Sequence, residues 1–534
     1  MLPLAIALLI LSASVADAFS SVPEFPASPP PPAPPVYVIM GPDSVPIARA
    51  IVDATEDCPV LMADGKTMIV TTHAEPDPDH GFPERVCSGD LPQNYTLASF
   101  GPTELPSVKS GPVNFGIIGD TGLRVKVKNN GTLPCPANLS DTIVEYPESA
   151  GVCFDYGEWK GNIQGMEQSL NPVSTSWPYQ LMADELAGKN PDVIIHVGDF
   201  LYGETECPDV CPVDEENATK GFYDPCPCAN MTSHGDQWSS WQEDFFEPSR
   251  KLLLAAPWII LRGNHEICTR SGVGWFRYLD PRPMPPLQEW KWQGVKQYVP
   301  CSEFTDPYVV TYHDVQWLVV DSSQVASVGG GIDHYDGDCP TEVTVITGLD
   351  PRNESAFPYT PNSSHGFDPS NFPAEYGNYT EIFAEGKSML DSHKPVGLLS
   401  HRPLYAITCH KGSYLALDYT LQLAAEATGL FNSTIKFVLS GHYHLFQYVE
   451  YEGRVPTLVF GHGGTKLFDG DPNIATAVGA TVLTEDGAPA AVITANSTMY
   501  KQFGFGLLEV KEERFEVTEG AGAAWQRFNF TIPA

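Results

Sequence analysis

The sequence predicts an α/β fold preceded by a small all-β domain, and three observations carry that prediction. Across 534 residues, 42% are hydrophobic and 11% aromatic, which describes a globular chain with enough apolar side chains for a full core. From about residue 112 onward, short apolar runs that end in polar residues alternate with amphipathic segments, the pattern of strands and helices around a buried sheet. Between Val36 and about Ser110 the runs are short, β-like and broken by Pro, Gly and Asp, with no helical periodicity.

Taken in order, Leu2 to Val15 is an apolar run too short to span a membrane, and Ala16-Asp17-Ala18 fits the small-x-small rule for signal cleavage. Residues 1–18 are thus expected to be a signal peptide. An uncleaved anchor is the alternative, because no Lys or Arg precedes the run. Residues 19–35 form a spacer whose seven prolines between Pro26 and Pro35 favour a stiff, extended chain. Residues 36–110 are the small β domain, with strands expected at Val36–Ile39 and Thr67–Thr72. Residues 111–534 form the α/β domain. Its strands are expected at Val113–Gly119, Val193–Gly198, Trp258–Leu261, Trp317–Val320, Val396–Leu399, Phe437–Leu439 and Leu458–Phe460, and its helices at Tyr179–Ala187, Tyr379–Leu390 and Tyr414–Thr428. Two insertions, Gly203–Trp241 and Ser327–Asn378, read as surface loops.

Twelve cysteines form an even set, and a secretory compartment directs such a set to disulfides, with Cys58 and Cys87 expected to close on each other. Asn94, Asn130, Asn138, Asn217, Asn230, Asn353, Asn362, Asn378, Asn432, Asn496 and Asn529 each begin an N-x-S/T sequon. Both features agree with a secreted or lumenal protein. The formal charge of −36, from 30 Lys+Arg and 66 Asp+Glu without a basic cluster, excludes a nucleic-acid partner. No later run is long enough for a membrane span, and no motif specifies an oligomeric state.

The chemistry stands at the strand ends, where α/β sheets gather functional side chains. Gly119-Asp120-Thr121-Gly122, Gly198-Asp199-Phe200-Leu201-Tyr202, Gly263-Asn264-His265-Glu266, Ser400-His401-Arg402-Pro403 and Gly441-His442-Tyr443-His444 each follow an expected strand. Singly, each is an ordinary turn. Together they supply carboxylates, a phenol, an amide and imidazoles, a hard-oxygen and nitrogen set suited to two adjacent catalytic ions and unlike a closed structural zinc site.

In these motifs the sequence resembles the calcineurin-like metallophosphoesterases, and among them the purple acid phosphatases. The resemblance runs from Gly119 to His444. Most of that superfamily has Asp-x-His in the first block, whereas this chain has Asp120-Thr121-Gly122 and carries Tyr202 in the second, as purple acid phosphatases do. The resemblance implies a β-sandwich of two mixed sheets flanked by helices. It implies that Asp120, Tyr202 and His444 hold a first ion, Fe(III), that Asp199 bridges, and that Asn264, His401 and His442 hold a second, divalent ion (Fe, Zn or Mn). The implied reaction is hydrolysis of a small phosphomonoester by in-line attack of a bridging hydroxide.

Around that set, Asn264, His265, Arg402 and His410 are candidate substrate contacts, with His265 and His410 the candidate catalytic partners of the leaving oxygen. His265 and His410 could instead be packed imidazoles, and Arg402 could instead pair with an acidic neighbour. His462 reads as a turn residue and His196 as a satisfied core histidine. The four cysteines from Cys207 to Cys228 could in principle bind zinc, although the compartment favours disulfides. Two other functions keep the same fold: a metal-dependent phosphodiesterase, and a catalytically idle secreted glycoprotein.

Overall fold

A computed structural model describes residues 34–109, 113–123, 177–203, 235–292, 295–325, 372–410, 413–416, 419–432 and 434–465, with shorter pieces between 467 and 533. The expected signal peptide and most of the spacer lie outside the described residues.

Two large sheets dominate. The first has ten strands in the order Phe530–Pro533, Arg514–Gly520, Phe505–Lys511, Val113–Ile118, Val193–His196, Trp258–Ile260, Val36–Met40, Pro46–Val52, Arg85–Asp90 and Thr71–Ala74. Its centre is parallel: Val193–His196 lies between Val113–Ile118 and Trp258–Ile260, and Val36–Met40 pairs parallel to the last of these. The second sheet has seven strands in the order Tyr308–Tyr312, Val315–Val320, Val396–Ser400, Ile435–Ser440, Thr457–Phe460, Phe446–Val449 and Thr498–Tyr500. It too is parallel at its centre and antiparallel at its margins.

The period-2 alternation of strand side chains explains how the sheets stack. Phe115, Ile117, Val193, Ile195 and Ile259 point from the first sheet into one core with Trp317, Val319, Leu399, Phe437 and Leu458 from the second. Their neighbours, such as Ile118 and Ile194, or Leu318 and Val320, point outward into two further cores. Helix Tyr179–Gly188 covers the outer face of the first sheet, and helices Phe372–Ser388 and Tyr419–Ala427 cover that of the second. This is the mixed α/β sandwich that the sequence led us to expect.

The region from Val36 to Leu105 is all-β, as expected. It has its own core around Val38, Ala50, Leu61, Tyr95 and Phe100, and its strands also extend the first sheet. Buried polar groups fasten it further: Arg49 donates to the Asp280 carbonyl at 2.8 Å, and Tyr278 donates to Glu84 at 2.6 Å. The Cys58–Cys87 disulfide is present, as is Cys268–Cys301. The cysteines from Cys207 to Cys228 lie outside the described residues.

Four local expectations are corrected. The Thr67–Thr72 run is not one strand, because Lys66–Thr67 belongs to a separate four-stranded sheet and Thr71–Ala74 to the edge of the ten-stranded one; Ile69 between them is exposed. The helix expected from Tyr414 starts at Tyr419, since Ser413–Ala416 pairs as a hairpin with Ile407–His410. The insertion expected to be a surface loop up to Trp241 ends in helix Trp238–Trp241, with Trp241 fully buried. Likewise helix Phe372–Ser388 begins inside the second insertion. Residues 204–234 and 326–371 of these insertions lie outside the described residues.

Candidate metal centre

The seven expected ligands converge where the parallel strands of both sheets end. Asp120 follows Val113–Ile118, Asp199 and Tyr202 follow Val193–His196, and Asn264 follows Trp258–Ile260. From the second sheet, His401 follows Val396–Ser400, and His442 and His444 follow Ile435–Ser440. Asp120, Asp199 and His442 have φ of 53°, 58° and 72°, the left-handed region that non-glycine residues avoid. Backbone strain thus collects at the site, where the surrounding packing must sustain it.

Asp199 is the hub. With His401 and His442 it forms one group of potential metal-ligating atoms within 4.8 Å of one another, and with Asp120 and His444 a second. The Asn264 side-chain oxygen faces His442 Nδ1 at 2.7 Å and His401 Nε2 at 3.0 Å, extending the first group. Tyr202 belongs to the second group. Its hydroxyl lies 2.9 Å from Asp199, 3.1 Å from Asp120 and 2.9 Å from His444 Nε2.

Gly122 makes room for that phenol. A Cβ at position 122 would lie 2.5 Å from the Phe200 carbonyl oxygen and 2.8 Å from Cδ2 of Tyr202. A side chain at 122 and the observed pose of Tyr202 therefore exclude each other.

The site is buried and crowded with acceptor atoms. Burial pushes the Asp120 carboxyl well above the usual range, and the neighbouring Asp199 carboxylate adds to the push. Burial acts on Asp199 the same way, but His401 and His265 outweigh it and hold Asp199 well below that range. Burial disfavours charge on His401, yet Asp199 lifts its imidazole to about 9. A single phenolic hydrogen faces several acceptors, and two carboxylates share one buried space. These residues fit metal cations, which satisfy lone pairs without needing a donor hydrogen. His401 Nδ1 donates to the Val197 carbonyl at 2.7 Å, so when an ion takes the place of the second imidazole proton, Nε2 is the nitrogen that would face it.

His265 is buried above Tyr202, with ring centroids 3.9 Å apart, and its backbone N–H donates to Asp199 Oδ1 at 3.0 Å. Arg402 lies within the site, its guanidinium 3.2 Å from His442 Nε2. His410 ends a strand of the hairpin, and its side chain lies outside the described residues. His462 is buried, and its Nε2 lies 3.1 Å from Glu519. His196 is a core histidine with Thr121 Oγ1 at 3.0 Å from Nε2, and burial depresses its pKa.

Two further residues matter here. Glu266 accepts four backbone N–H groups: Phe200 at 2.9 Å and Leu201 at 3.3 Å on one oxygen, Gly263 at 3.0 Å and Asp199 at 3.1 Å on the other. It staples the Asp199 turn to the Asn264 turn. Burial and the nearby Asp199 carboxylate push this carboxyl up to about 8, while the N–H donors pull it down. Arg270 places Nη2 2.7 Å from His265 Nδ1. Glu266 is visible in the Gly263–Glu266 block as an acid beside the ligand candidate Asn264 and the catalytic candidate His265. Arg270 gave no comparable signal.

The sequence matches the calcineurin-like phosphoesterase family over residues 114–446. No curated protein matches it. Among solved structures, the chain is similar to GAP50, the anchor in the inner membrane complex of Plasmodium, at 9% identity and TM-score 0.33, covering 79% of this chain and 89% of that one. It is also similar to a dimetal phosphatase from Danio rerio at 10% identity and TM-score 0.31, covering 79% and 99%. The family match takes in every strand that carries a ligand candidate, and the chain belongs to the calcineurin-like phosphoesterase family, whose members are metal-dependent phosphoester hydrolases.

Proposed function

We propose that this protein is a secreted acid phosphatase of the purple acid phosphatase type, hydrolysing phosphomonoesters at a dinuclear centre. The observation that carries the reading is the Tyr202 phenol, set among Asp120, Asp199 and His444 in the space that Gly122 leaves open. A phenolate donor is harder and more electron-rich than imidazole and favours a trivalent ion. Asp120, Tyr202 and His444 would hold Fe(III), Asn264, His401 and His442 a divalent Fe, Zn or Mn, with Asp199 shared. Ions bound there supply positive charge for phosphoryl oxygens and a nucleophile derived from water.

This chain's own residues do the rest. Arg402 adds a guanidinium beside His442 for the ester phosphate. Arg270 Nη2 lies 2.7 Å from His265 Nδ1 and 3.2 Å from Nε2, so the guanidinium, which can only donate, is paired with the closer Nδ1, and we assign the proton of the neutral ring to Nε2. From there it is available to the leaving oxygen. His410 is a second candidate for that task.

Secretion is supported by the N-terminal apolar run, by the two disulfides and by the exposure of the sequon residues Asn94 and Asn378. Of the other sequons, Asn432 ends a 3-10 turn, its side chain outside the described residues, and Asn130, Asn138, Asn217, Asn230, Asn353, Asn362, Asn496 and Asn529 lie outside them altogether. No helix among the described residues is long and apolar enough to cross a membrane.

Absorption spectroscopy tests the metal assignment. The iron-loaded protein is expected to show a visible tyrosinate charge-transfer band that Tyr202→Phe abolishes. A colourless wild type with full metal content overturns the Fe(III) assignment. Comparing rates on aryl phosphate mono- and diesters tests the substrate class, and a dominant diester rate overturns the monoesterase reading.

A further inference from the structure

Each sheet supplies part of the centre, so the register of one sheet against the other must hold to a fraction of an ångström. A buried ion pair crosses that boundary beside the ligands. Arg262, two residues before Asn264 and just past the carboxyl end of the central strand Trp258–Ile260 of the first sheet, is 2% exposed, and Asp321, which follows strand Val315–Val320 of the second sheet, is 5% exposed. Their Nη1 and Oδ2 atoms are 3.1 Å apart. Val320 pairs with Ser400, which places Asp321 beside His401.

Both partners are held on every side. Arg262 Nε donates to the Glu266 carbonyl at 2.8 Å, and Nη1 also donates to the Ser302 carbonyl at 2.9 Å and the Glu303 carbonyl at 3.3 Å. The guanidinium lies 5.2 Å from the Trp275 ring centroid and 4.9 Å from that of Phe276. Asp321 accepts from Thr305 Oγ1 at 3.0 Å and from the Ser323 N–H at 2.9 Å. The adjacent Ser322 hydroxyl accepts the Arg402 N–H at 2.9 Å. The network therefore runs from the Asn264–Glu266 turn to the His401–Arg402 segment without passing through Asp120, Tyr202 or His444.

We infer that Arg262 and Asp321 are positioning residues that set the distance between Asn264 and His401, and so control the affinity of the Asn264–His401–His442 group for its ion while leaving the Asp120–Tyr202–His444 group intact. This rests on the two-ion reading of the centre. Removing a partner bonded directly to a metal ligand typically costs on the order of 10–100-fold in metal affinity, and Arg262 and Asp321 act one contact further out, which sets the expectation at the lower end, about tenfold. A buried ion pair is weak evidence of net stability, because desolvation offsets its attraction, and a role in specifying geometry accounts for it better.

The test is titration of the full-length protein with Zn²⁺, counting bound metal per chain, in wild type, Arg262→Lys and Asp321→Asn. Asp321→Asn keeps an acceptor oxygen and the side-chain shape, so it decides the matter if Arg262→Lys does not fold. The expected result is that the variants keep one ion as tightly as wild type and bind the other about tenfold more weakly, with excess Zn²⁺ restoring kcat. Loss of both ions together, or two ions held as in wild type, overturns the inference. A wild type that binds only one ion overturns the two-ion reading itself, and this inference with it.

Discussion

Replacing Glu266 with Gln removes an acceptor that the site cannot replace. Four backbone N–H groups converge on its two carboxyl oxygens, two on each, and above pH 8, where the comparison is made, the group is ionised and both oxygens are full acceptors. Gln keeps one carbonyl oxygen, which retains one pair, and turns an NH₂ group toward the other pair. Two buried N–H donors then lack an acceptor, at about 1–3 kcal/mol each, so the loss should be about 2–6 kcal/mol. Against a net stability on the order of 5–15 kcal/mol this is a large fraction. The donors belong to the Asp199–Leu201 turn and to Gly263, so the damage falls on the hub carboxylate and on Asn264. Urea denaturation of metal-free wild type and Glu266→Gln gives the stability difference, and metal content per chain gives the effect on the centre. A denaturation midpoint equal to wild type, with full metal content, would refute the reasoning.

Three other outcomes are expected. Gly122→Ala forces a methyl group against the Phe200 carbonyl and the Tyr202 ring, so it should displace the phenol and sharply reduce the visible band and the turnover, as absorption and rate measurements would show. Asp199→Asn removes the carboxylate shared by both groups and should abolish turnover, by about 10³-fold or more if electrostatic stabilisation is lost, as a direct rate comparison would show. Asp236 is buried among Trp241, Trp292 and the Gly274 N–H, and burial raises its carboxyl to about 6 from an ordinary 3.8. Its native state thus holds a proton that the unfolded chain releases. Stability relative to Asp236→Asn should be fullest below pH 3.8 and should fall by about 3 kcal/mol as pH rises through 6, measurable as denaturation midpoints across that window.

Much of the centre was legible because strand-end motifs impose their own geometry: a buried apolar run ending in Gly-Asp or Gly-His fixes both the strand and the place of its ligand. What escaped depends on contacts between distant segments. The run from Thr67 to Thr72 looks like one strand, but its two ends hydrogen-bond to different sheets. The Ser413–Ala416 segment has apolar spacing that suits a helix, and pairing with Ile407–His410 takes precedence. Glu266 stands in a strand-end motif but its role is not legible there, because only folding brings the Asp199 turn onto it. The fit of Gly122 to Tyr202 likewise joins positions 80 residues apart.

The central claim is a dinuclear phosphomonoesterase able to work in acid, and the most direct measurement is hydrolysis of an aryl phosphate monoester by the purified full-length protein, metals replete, scanned from acid to neutral pH. Fast turnover with an acid optimum, lost in Asp199→Asn, is the predicted result. No monoester turnover at any pH, with two ions bound per chain, would contradict the account.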